Sequence, residues 1–360
     1  MKIIPIAQPQ VGKQEIRAVS KVLKSGALAQ GKKVEQFEDA FCSAISADYC
    51  VAVNSGTSAL HVALLALGIG VGDEVIVPSF TFAATANSVS LTGAKPVFVD
   101  IDPITYTIDP EKIEKAITPK TKAIQVVHLY GLPANMKKIV QISKRHNLKL
   151  IEDAAQAHLA SIDGDFVGTF GDAAAFSFYP TKNMTSGEGG MIVFRNAEHA
   201  RTAKLLRNQG MEVRYQNELV GFNLRMTDIH AAIGLEQLKK LPRWTDTREE
   251  NAQFLSQQIS EVTTPHAPQG YRHVYHQYTI RVNANREDFS RELNNLGIGN
   301  SVYYPTPVHR LPSFKLEVDL PHTELAASQA LSLPVHPALS KKDLKRIADA
   351  VSRAAKIVRN

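Results

Sequence analysis

Short apolar runs alternate with stretches of helical periodicity along the first half of the chain. Each run precedes or follows a 3.6-residue pattern. The runs lie at residues 51–53, 75–77, 96–99, 124–127 and 150–151. This alternation is typical of βαβ units, so it predicts an α/β domain with a mostly parallel sheet covered by helices.

The pattern changes at about Leu235, where a long polar helix is predicted to continue to residue 259. A Pro/Gly-rich break follows it, and then smaller elements. These are a strand at 275–280, a helix at 286–296, an extended segment at 301–305 and a basic amphipathic helix at 341–357. We therefore predict a large domain over residues 1–240 and a smaller α+β domain over residues 241–360.

Charge and cysteine content narrow the class of protein. The 41 basic and 35 acidic residues are scattered along the 360-residue chain, so the net charge of +6 forms no basic arm and nucleic acid is not an expected partner. The two cysteines have no metal-binding spacing, which suggests no metal site and a reducing cytoplasmic compartment. No apolar run approaches the ~18 residues of a membrane span.

Several candidate site residues fall just beyond the predicted strands. Pro78, Asp100, His128 and Asp153 each follow an apolar run. Ligands of open α/β sheets bind at the carboxyl ends of the strands. We therefore expect the functional residues to converge on one edge of the sheet.

Lys182 is the strongest single candidate. It lies in the turn Phe-Ser-Phe-Tyr-Pro-Thr-Lys-Asn at 176–183, directly after an apolar stretch. A lysine that forms a Schiff base must be neutral part of the time, and burial in an apolar surrounding favours the neutral amine. The alternative interpretation is a solvated surface lysine, or an ordinary ion pair between Lys182 and Asp153.

Three further features fit a phosphate-bearing cofactor with a basic ring nitrogen. The turn at 55–60 follows a strand and opens a helix, where backbone N–H groups favour a phosphate. Asp153 ends a buried strand and needs a cationic partner such as a protonated pyridine nitrogen. Phe82 follows another strand end and can stack on a ring. Each feature also has a structural explanation. The turn at 55–60 could only cap the helix, Asp153 could only order a loop, and Phe82 could be a core aromatic.

Taken together, these motifs resemble the pyridoxal-phosphate sugar-nucleotide aminotransferases of the DegT type over nearly the full length of the chain. The shared motifs lie at 25–26, 30–31, 55–60, 78–85, 152–158, 176–183, 187–190, 221–228 and 303–309. The resemblance implies a fold-type-I, aspartate-aminotransferase-like architecture, pyridoxal 5′-phosphate as cofactor and a homodimer with shared active sites.

The resemblance also assigns roles to individual residues. Lys182 corresponds to the Schiff-base lysine, Asp153 to the partner of the pyridine nitrogen and Phe82 to the stacking aromatic. Gln156 resembles the residue on the ring-hydroxyl side. The phosphate ligands correspond to residues in the Gly56, Thr57 and Ser58 turn, to Ser177, and to Asn223 reaching across the dimer, with Arg225 and Asp228 beside it.

The implied reaction transfers an amino group from glutamate to a keto carbon, C3 or C4, of a nucleotide-linked hexose. The implied kinetics are ping-pong through pyridoxamine phosphate. Tyr303, Tyr304 and His309 either line the sugar or form an aromatic packing strip. Family members with histidine in place of the lysine dehydrate the sugar, and Lys182 argues against that activity.

Three alternatives remain open. The first is amination of a keto-inositol, and the second is a pyridoxal-phosphate-binding regulator that does not transaminate. The third is a binding or structural protein in which Lys182 and Asp153 form an ordinary ion pair.

Overall fold

The computed structural model describes residues 3–358. Eleven α-helices are formed within this part of the chain. They are α1 (Lys13–Ser25), α2 (Lys32–Ile45), α3 (Gly56–Ala66), α4 (Ala84–Leu91), α5 (Pro110–Ala116), α6 (Met136–Arg145), α7 (Ala197–Arg207), α8 (Asp228–Gln258), α9 (Arg286–Asn295), α10 (Pro321–Gln329) and α11 (Lys341–Val358). Within residues 3–358 no helix combines the length and the apolar character that a bilayer crossing requires.

Twelve strands lie in the same described range. They are β1 (Tyr49–Val53), β2 (Glu74–Pro78), β3 (Lys95–Val99), β4 (Thr121–Val127), β5 (Lys149–Asp153), β6 (Ser161–Ile162), β7 (Asp165–Phe166), β8 (Ala173–Ser177), β9 (Gly190–Phe194), β10 (Tyr271–Arg272), β11 (Tyr278–Arg281) and β12 (Ala330–Leu333). The apolar runs of the sequence analysis all fall within strands of this set.

Seven strands form the central sheet, in the order β1-β9-β8-β5-β4-β2-β3. All are parallel except β9, which runs antiparallel to both of its neighbours. The register places Asp153 opposite Ala175, and Ser177 opposite Gly190. Because parallel strands end at the same edge, the residues that follow β1, β2, β5 and β8 are brought together there.

Helices cover both faces of this sheet. Along β8, Ala173 and Ala175 face the apolar layer that α3 and α7 supply, whereas Ala174 and Phe176 face the layer of α2 and α8. This alternation follows from the two-residue period of a strand. Both layers are buried, which explains why the strands carry apolar residues on both of their faces rather than on one.

The C-terminal part has its own core, in which α9, α11, β11 and β12 pack together. The predicted strand at 275–280 starts later than expected, because Val274 and Gln277 bond to the backbone of Gly131 and Tyr130 rather than to a neighbouring strand. Tyr275 has a φ of +43°, which interrupts an extended conformation.

The helix α8 crosses the predicted boundary at residue 240. Its first half packs on α1 and α2, and its second half packs on α11. Ile4, near the N-terminus, joins the core of the C-terminal part. The two-domain division therefore stays a prediction, with one continuous helix and the N-terminal segment shared between the two parts.

Candidate active site

Lys182 is held in a loop that folds back on the end of β8. Its backbone N–H bonds to the carbonyl of Tyr179 at 2.9 Å. The carbonyl of Phe178 accepts from Thr185 Oγ1 at 2.8 Å and from the Ser186 N–H at 3.0 Å. These bonds fix the backbone on both sides of the lysine, so its amine is presented at the carboxyl edge of the sheet.

The Lys182 amine has no ion-pair or hydrogen-bond partner within residues 3–358. Burial lowers the pKa of this amine to about 8, and the negative charge of Asp153 partly opposes the shift. Because a neutral amine is the nucleophile, this environment suits Schiff-base chemistry near neutral pH. An ordinary ion pair between Lys182 and Asp153 does not fit. Among residues 3–358 the two side chains are not within salt-bridge distance of each other, and Asp153 affects Lys182 only through its more distant charge.

Asp153 ends β5 with a buried carboxylate. Thr85 Oγ1 donates to Asp153 Oδ2 at 2.8 Å, and the Ala155 N–H donates to Oδ1 at 3.2 Å. Burial raises the pKa of Asp153, while these two hydrogen bonds and the charge of Lys182 pull it back. The carboxylate has two donors but no cation in direct contact, which leaves room for a cationic ligand.

Glu152 points to the opposite side of the strand. Its carboxylate accepts from the N–H groups of Gly168, Phe170 and Gly171 at 2.8–2.9 Å. The ring of His128 lies 3.0 Å away through Nε2, and its Nδ1 accepts from the Ala134 N–H. Because Nδ1 is an acceptor, the ring donates through Nε2. This buried network anchors the loops beneath the site.

The turn between β1 and α3 forms a cradle of backbone N–H groups. Ser55 caps α3, accepting from the Ser58 N–H at 3.1 Å and contacting Ser58 Oγ at 2.9 Å. Thr57 is exposed at this helix start. Gly56 lies against Ser177, since a Cβ at Gly56 would fall 2.7 Å from Ser177 Cβ. Gly56, Thr57, Ser58 and Ser177 are thus brought to one helix N-terminus, as a phosphate site requires.

Gln156 is fixed by two tyrosines from other segments. Its Oε1 accepts from the Tyr130 N–H at 2.7 Å, and its Nε2 donates to Tyr304 Oη at 3.0 Å. Tyr304 in turn lies beside Phe82, with 5.9 Å between the ring centroids. Phe82 is 57 % exposed, so one face of its ring is open for stacking. The hydroxyl of Tyr130 donates to the carbonyl of Tyr303.

His309 lies apart from this group. It is fully buried, its Nδ1 is 2.6 Å from Ser79 Oγ, and its Nε2 is 3.1 Å from Glu324 Oε1. Both ring nitrogens are therefore engaged in packing α10 and the segment at 308–310 against the sheet. Of the three predicted sugar-side residues, Tyr303 and Tyr304 are brought to the site, whereas the geometry of His309 is that of a structural residue.

Asn223 is exposed in the segment that precedes α8. Arg225 next to it donates to Asn208 Oδ1 at 2.7 Å. Asp228 accepts from the N–H groups of Gly31, Lys33 and Val34, and so caps α2. Arg225 and Asp228 are therefore not a surface ion pair, and both have structural partners within their own chain.

Similarity to known proteins identifies the family of this chain. Residues 9–352 match the model of the DegT/DnrJ/EryC1/StrS aminotransferase family. The chain belongs to this family. It is 41 % identical to a pleiotropic regulatory protein of Geobacillus stearothermophilus, covering 95 % of each chain. It is 42 % identical to GDP-perosamine synthase of Caulobacter vibrioides, covering 90 % of each.

Solved structures agree with this membership. DesV of S. venezuelae, in complex with a ketimine intermediate, superposes with a TM-score of 0.95 at 38 % identity, covering 99 % of both chains. Other solved members hold pyridoxal phosphate or pyridoxamine phosphate. The predictions of family, fold, cofactor and activity are thus confirmed, and this DegT-family protein is a pyridoxal-phosphate-dependent sugar aminotransferase.

The residues of this family member fit the cofactor. A partly buried amine lies at the sheet edge, and the buried Asp153 carboxylate, which has no ion-pair partner among residues 3–358, ends the neighbouring strand. The close approach of Gly56 to Ser177 keeps the helix N-terminus open to a phosphate. Lys182, Asp153 and the α3 turn would therefore hold the aldehyde, the ring nitrogen and the phosphate, respectively.

The pH dependence of cofactor capture tests the state of Lys182. We expect the rate at which cofactor-free protein reacts with pyridoxal phosphate to rise with pH through a midpoint near 8, the pKa of this buried amine. A midpoint near 10.5, the ordinary value, would show a solvated amine. Between pH 8 and pH 10.5 Lys182 is protonated in the unfolded chain but neutral in the folded protein. The free energy of unfolding of the cofactor-free protein should therefore increase with pH in this range.

The close approach of Gly56 to Ser177 gives a second prediction. Gly56→Ala adds a methyl group 2.7 Å from Ser177 Cβ, so one of the two must move out of the phosphate cradle. Overpacking of this kind costs ~1–3 kcal/mol, so we expect roughly 10- to 100-fold weaker pyridoxal phosphate affinity in a spectroscopic titration. Gly70→Ala is the matched control, because a methyl there meets nothing closer than 3.8 Å. Equal affinities for the two variants would contradict the cradle.

The structure adds site residues that the sequence did not reveal. Thr85 lies within the shared motif at 78–85. It is four residues after Thr81, a spacing that in a helical turn places two side chains on one face, and their hydroxyls are 2.9 Å apart. This spacing was the sequence signal that could have identified Thr85. Tyr130 carried no such signal, because it contributes only a backbone N–H.

Proposed function

We propose that this aminotransferase moves the amino group of glutamate to a keto carbon, C3 or C4, of a nucleotide-linked hexose, in ping-pong order. The observation that carries the proposal is the partly buried Lys182 amine, which has no ion-pair partner among residues 3–358 and senses the charge of the Asp153 carboxylate. Support for the acceptor comes from further relatives that are named as transaminases of dTDP- and UDP-linked amino sugars, at carbon 3.

The side chains of this protein have separate tasks in that reaction. When bound, pyridoxal phosphate supplies an aldehyde that bonds amines and a protonated ring that holds an electron pair. Lys182 would hold the aldehyde of the cofactor, and its amine, once free, would take a proton from the α-carbon of the donor and pass it to the cofactor. Asp153 would hold the ring proton, because a carboxylate fixed by Thr85 and Ala155 can accept a charge-assisted hydrogen bond.

We also propose a homodimer that acts in the cytoplasm. The segment around Asn223 exposes apolar side chains, among them Tyr215 at 79 % and Val220 at 92 %. Apolar clusters of this kind are typical of protein interfaces. Asn223 then reaches the phosphate held by the α3 turn of the other subunit. Both cysteines, Cys42 and Cys50, are free thiols, in keeping with a reducing compartment.

On the sugar side we propose Tyr303 and Tyr304. Tyr304 connects Gln156 with Phe82, so its ring borders the place where a substrate would meet the cofactor. His309 is proposed to act only through packing, because both of its nitrogens have partners.

One relative is named a pleiotropic regulatory protein, so a regulatory role in addition to amino transfer is the second candidate. The proposed donor is tested by the absorption spectrum of the purified protein with pyridoxal phosphate, before and after glutamate. Loss of the lysine-bound band supports glutamate as the donor, and a band that persists would exclude it. The amine-loaded protein is then offered 3-keto and 4-keto sugars on UDP, dTDP and GDP, and a keto-inositol. Amination of the inositol alone would overturn the proposed acceptor.

A further inference from the structure

A second positive group shares a cleft with Lys182. The cleft is narrow and partly open to solvent, and it lies between the N-terminal segment, the lysine loop and α8. Its polar lining includes Gln8, Gln10, Lys182, Asn183, Thr185 and Arg248. None of the residues that line it is acidic. Its two charged groups are cationic, so the cleft favours an anion.

Arg248 is buried, with 7 % of its surface exposed. Its Nη1 donates to the carbonyl of Tyr275 at 3.1 Å, and its buried Nε has no partner among residues 3–358. Within residues 3–358 no carboxylate lies within salt-bridge distance of its guanidinium. Burial lowers the pKa of Arg248 to about 10, so the group is still charged near neutral pH. A buried and uncompensated charge is costly unless a ligand neutralises it.

We propose that Arg248 binds a carboxylate of the amino-acid donor while the donor's amino group reacts beside Lys182. This inference rests on the proposed transamination. A guanidinium recognises a carboxylate by charge and by paired N–H donors, and it does so most strongly where water is excluded. The arginine is therefore expected to act in the first half-reaction, in which the amino-acid donor binds.

The test compares Arg248→Met with Arg248→Lys and with Arg243→Met, in protein loaded with pyridoxal phosphate. Arg243 is an exposed arginine on the same helix and serves as the matched control. The donors are glutamate, L-alanine and isopropylamine, which is alanine with its carboxylate replaced by a methyl group. For each, the rate of loss of the lysine-bound band is measured against donor concentration.

We expect Arg248→Met to raise the half-saturating glutamate concentration roughly 10- to 100-fold, the range for loss of a charged hydrogen bond. Isopropylamine should react within about 3-fold of the wild-type rate. Arg248→Lys should recover part of the loss, and Arg243→Met should match the wild type. If L-alanine is also affected, Arg248 binds the α-carboxylate; if only glutamate is affected, it binds the side-chain carboxylate.

Two results would overturn the inference. One is an unchanged glutamate dependence in Arg248→Met, and the other is an equal loss for isopropylamine, which would mark a structural role. Calorimetric binding of glutarate, a non-reacting dicarboxylate, provides a readout without turnover and should weaken by a similar factor. Wild-type protein that glutamate never discharges would refute the proposed transamination instead, and glutarate binding would still decide whether Arg248 holds a carboxylate.

Discussion

Lys182→Ala is expected to lower the rate of amino transfer by at least about 1,000-fold. The variant loses both the attachment point of the cofactor and the amine that moves the proton, and acid–base catalysis alone contributes ~10²–10⁴. The lysine-bound absorption band should be absent when pyridoxal phosphate is added. Stopped-flow spectroscopy of the glutamate half-reaction measures the loss.

The same variant should still bind pyridoxamine phosphate within several-fold of wild type, because the α3 turn and Asp153 are untouched. Lys204→Ala on the exposed face of α7 is the control and should behave as wild type. A normal absorption band in Lys182→Ala would mean that another amine carries the cofactor, and the assignment of the site would be wrong.

Asp153→Asn should reduce the rate of the glutamate half-reaction by roughly 10²- to 10⁴-fold. An amide carries no charge to hold a proton on the ring nitrogen, so the electron pair released in proton transfer is less stabilised. The pKa of the Lys182 amine should also fall, because the nearby carboxylate raises it. The pH midpoint of cofactor capture measures this second effect independently of turnover.

Two further variants make the Asp153 result specific. Thr85→Val keeps the charge but removes the 2.8 Å hydrogen bond, so a smaller loss, of about 10-fold, is expected. Asp163→Asn replaces an exposed carboxylate that pairs with Lys137 and should leave the rate unchanged. A rate for Asp153→Asn close to that of Asp163→Asn would exclude a role at the ring nitrogen.

The parts of the site that follow directly from strand ends were predictable from sequence. Lys182, Asp153 and the turn at 55–60 each come right after an apolar strand, and parallel strands bring such residues together whatever the details of packing. The parallel sheet itself was predictable for the same reason, since buried strands are marked by continuous apolar runs.

Contacts between distant segments were not predictable. Gln156 is held by Tyr130 and Tyr304, which are 26 and 148 residues away in sequence. His309 has the residue type of a substrate ligand, yet Ser79 and Glu324 occupy both of its nitrogens. Such pairings depend on tertiary packing between distant segments, and they produce no periodic pattern in the local sequence.

The continuity of α8 limits how this chain can be divided. The helix buries Ala231 and Leu241 in the core around α2, and Ala252 and Leu255 in the core around α11. A fragment that stopped at residue 240 would end in mid-helix and expose apolar surface of both cores. We therefore expect neither half to fold alone when the chain is cut at residue 240, so the two parts are best made, engineered and exchanged as one piece.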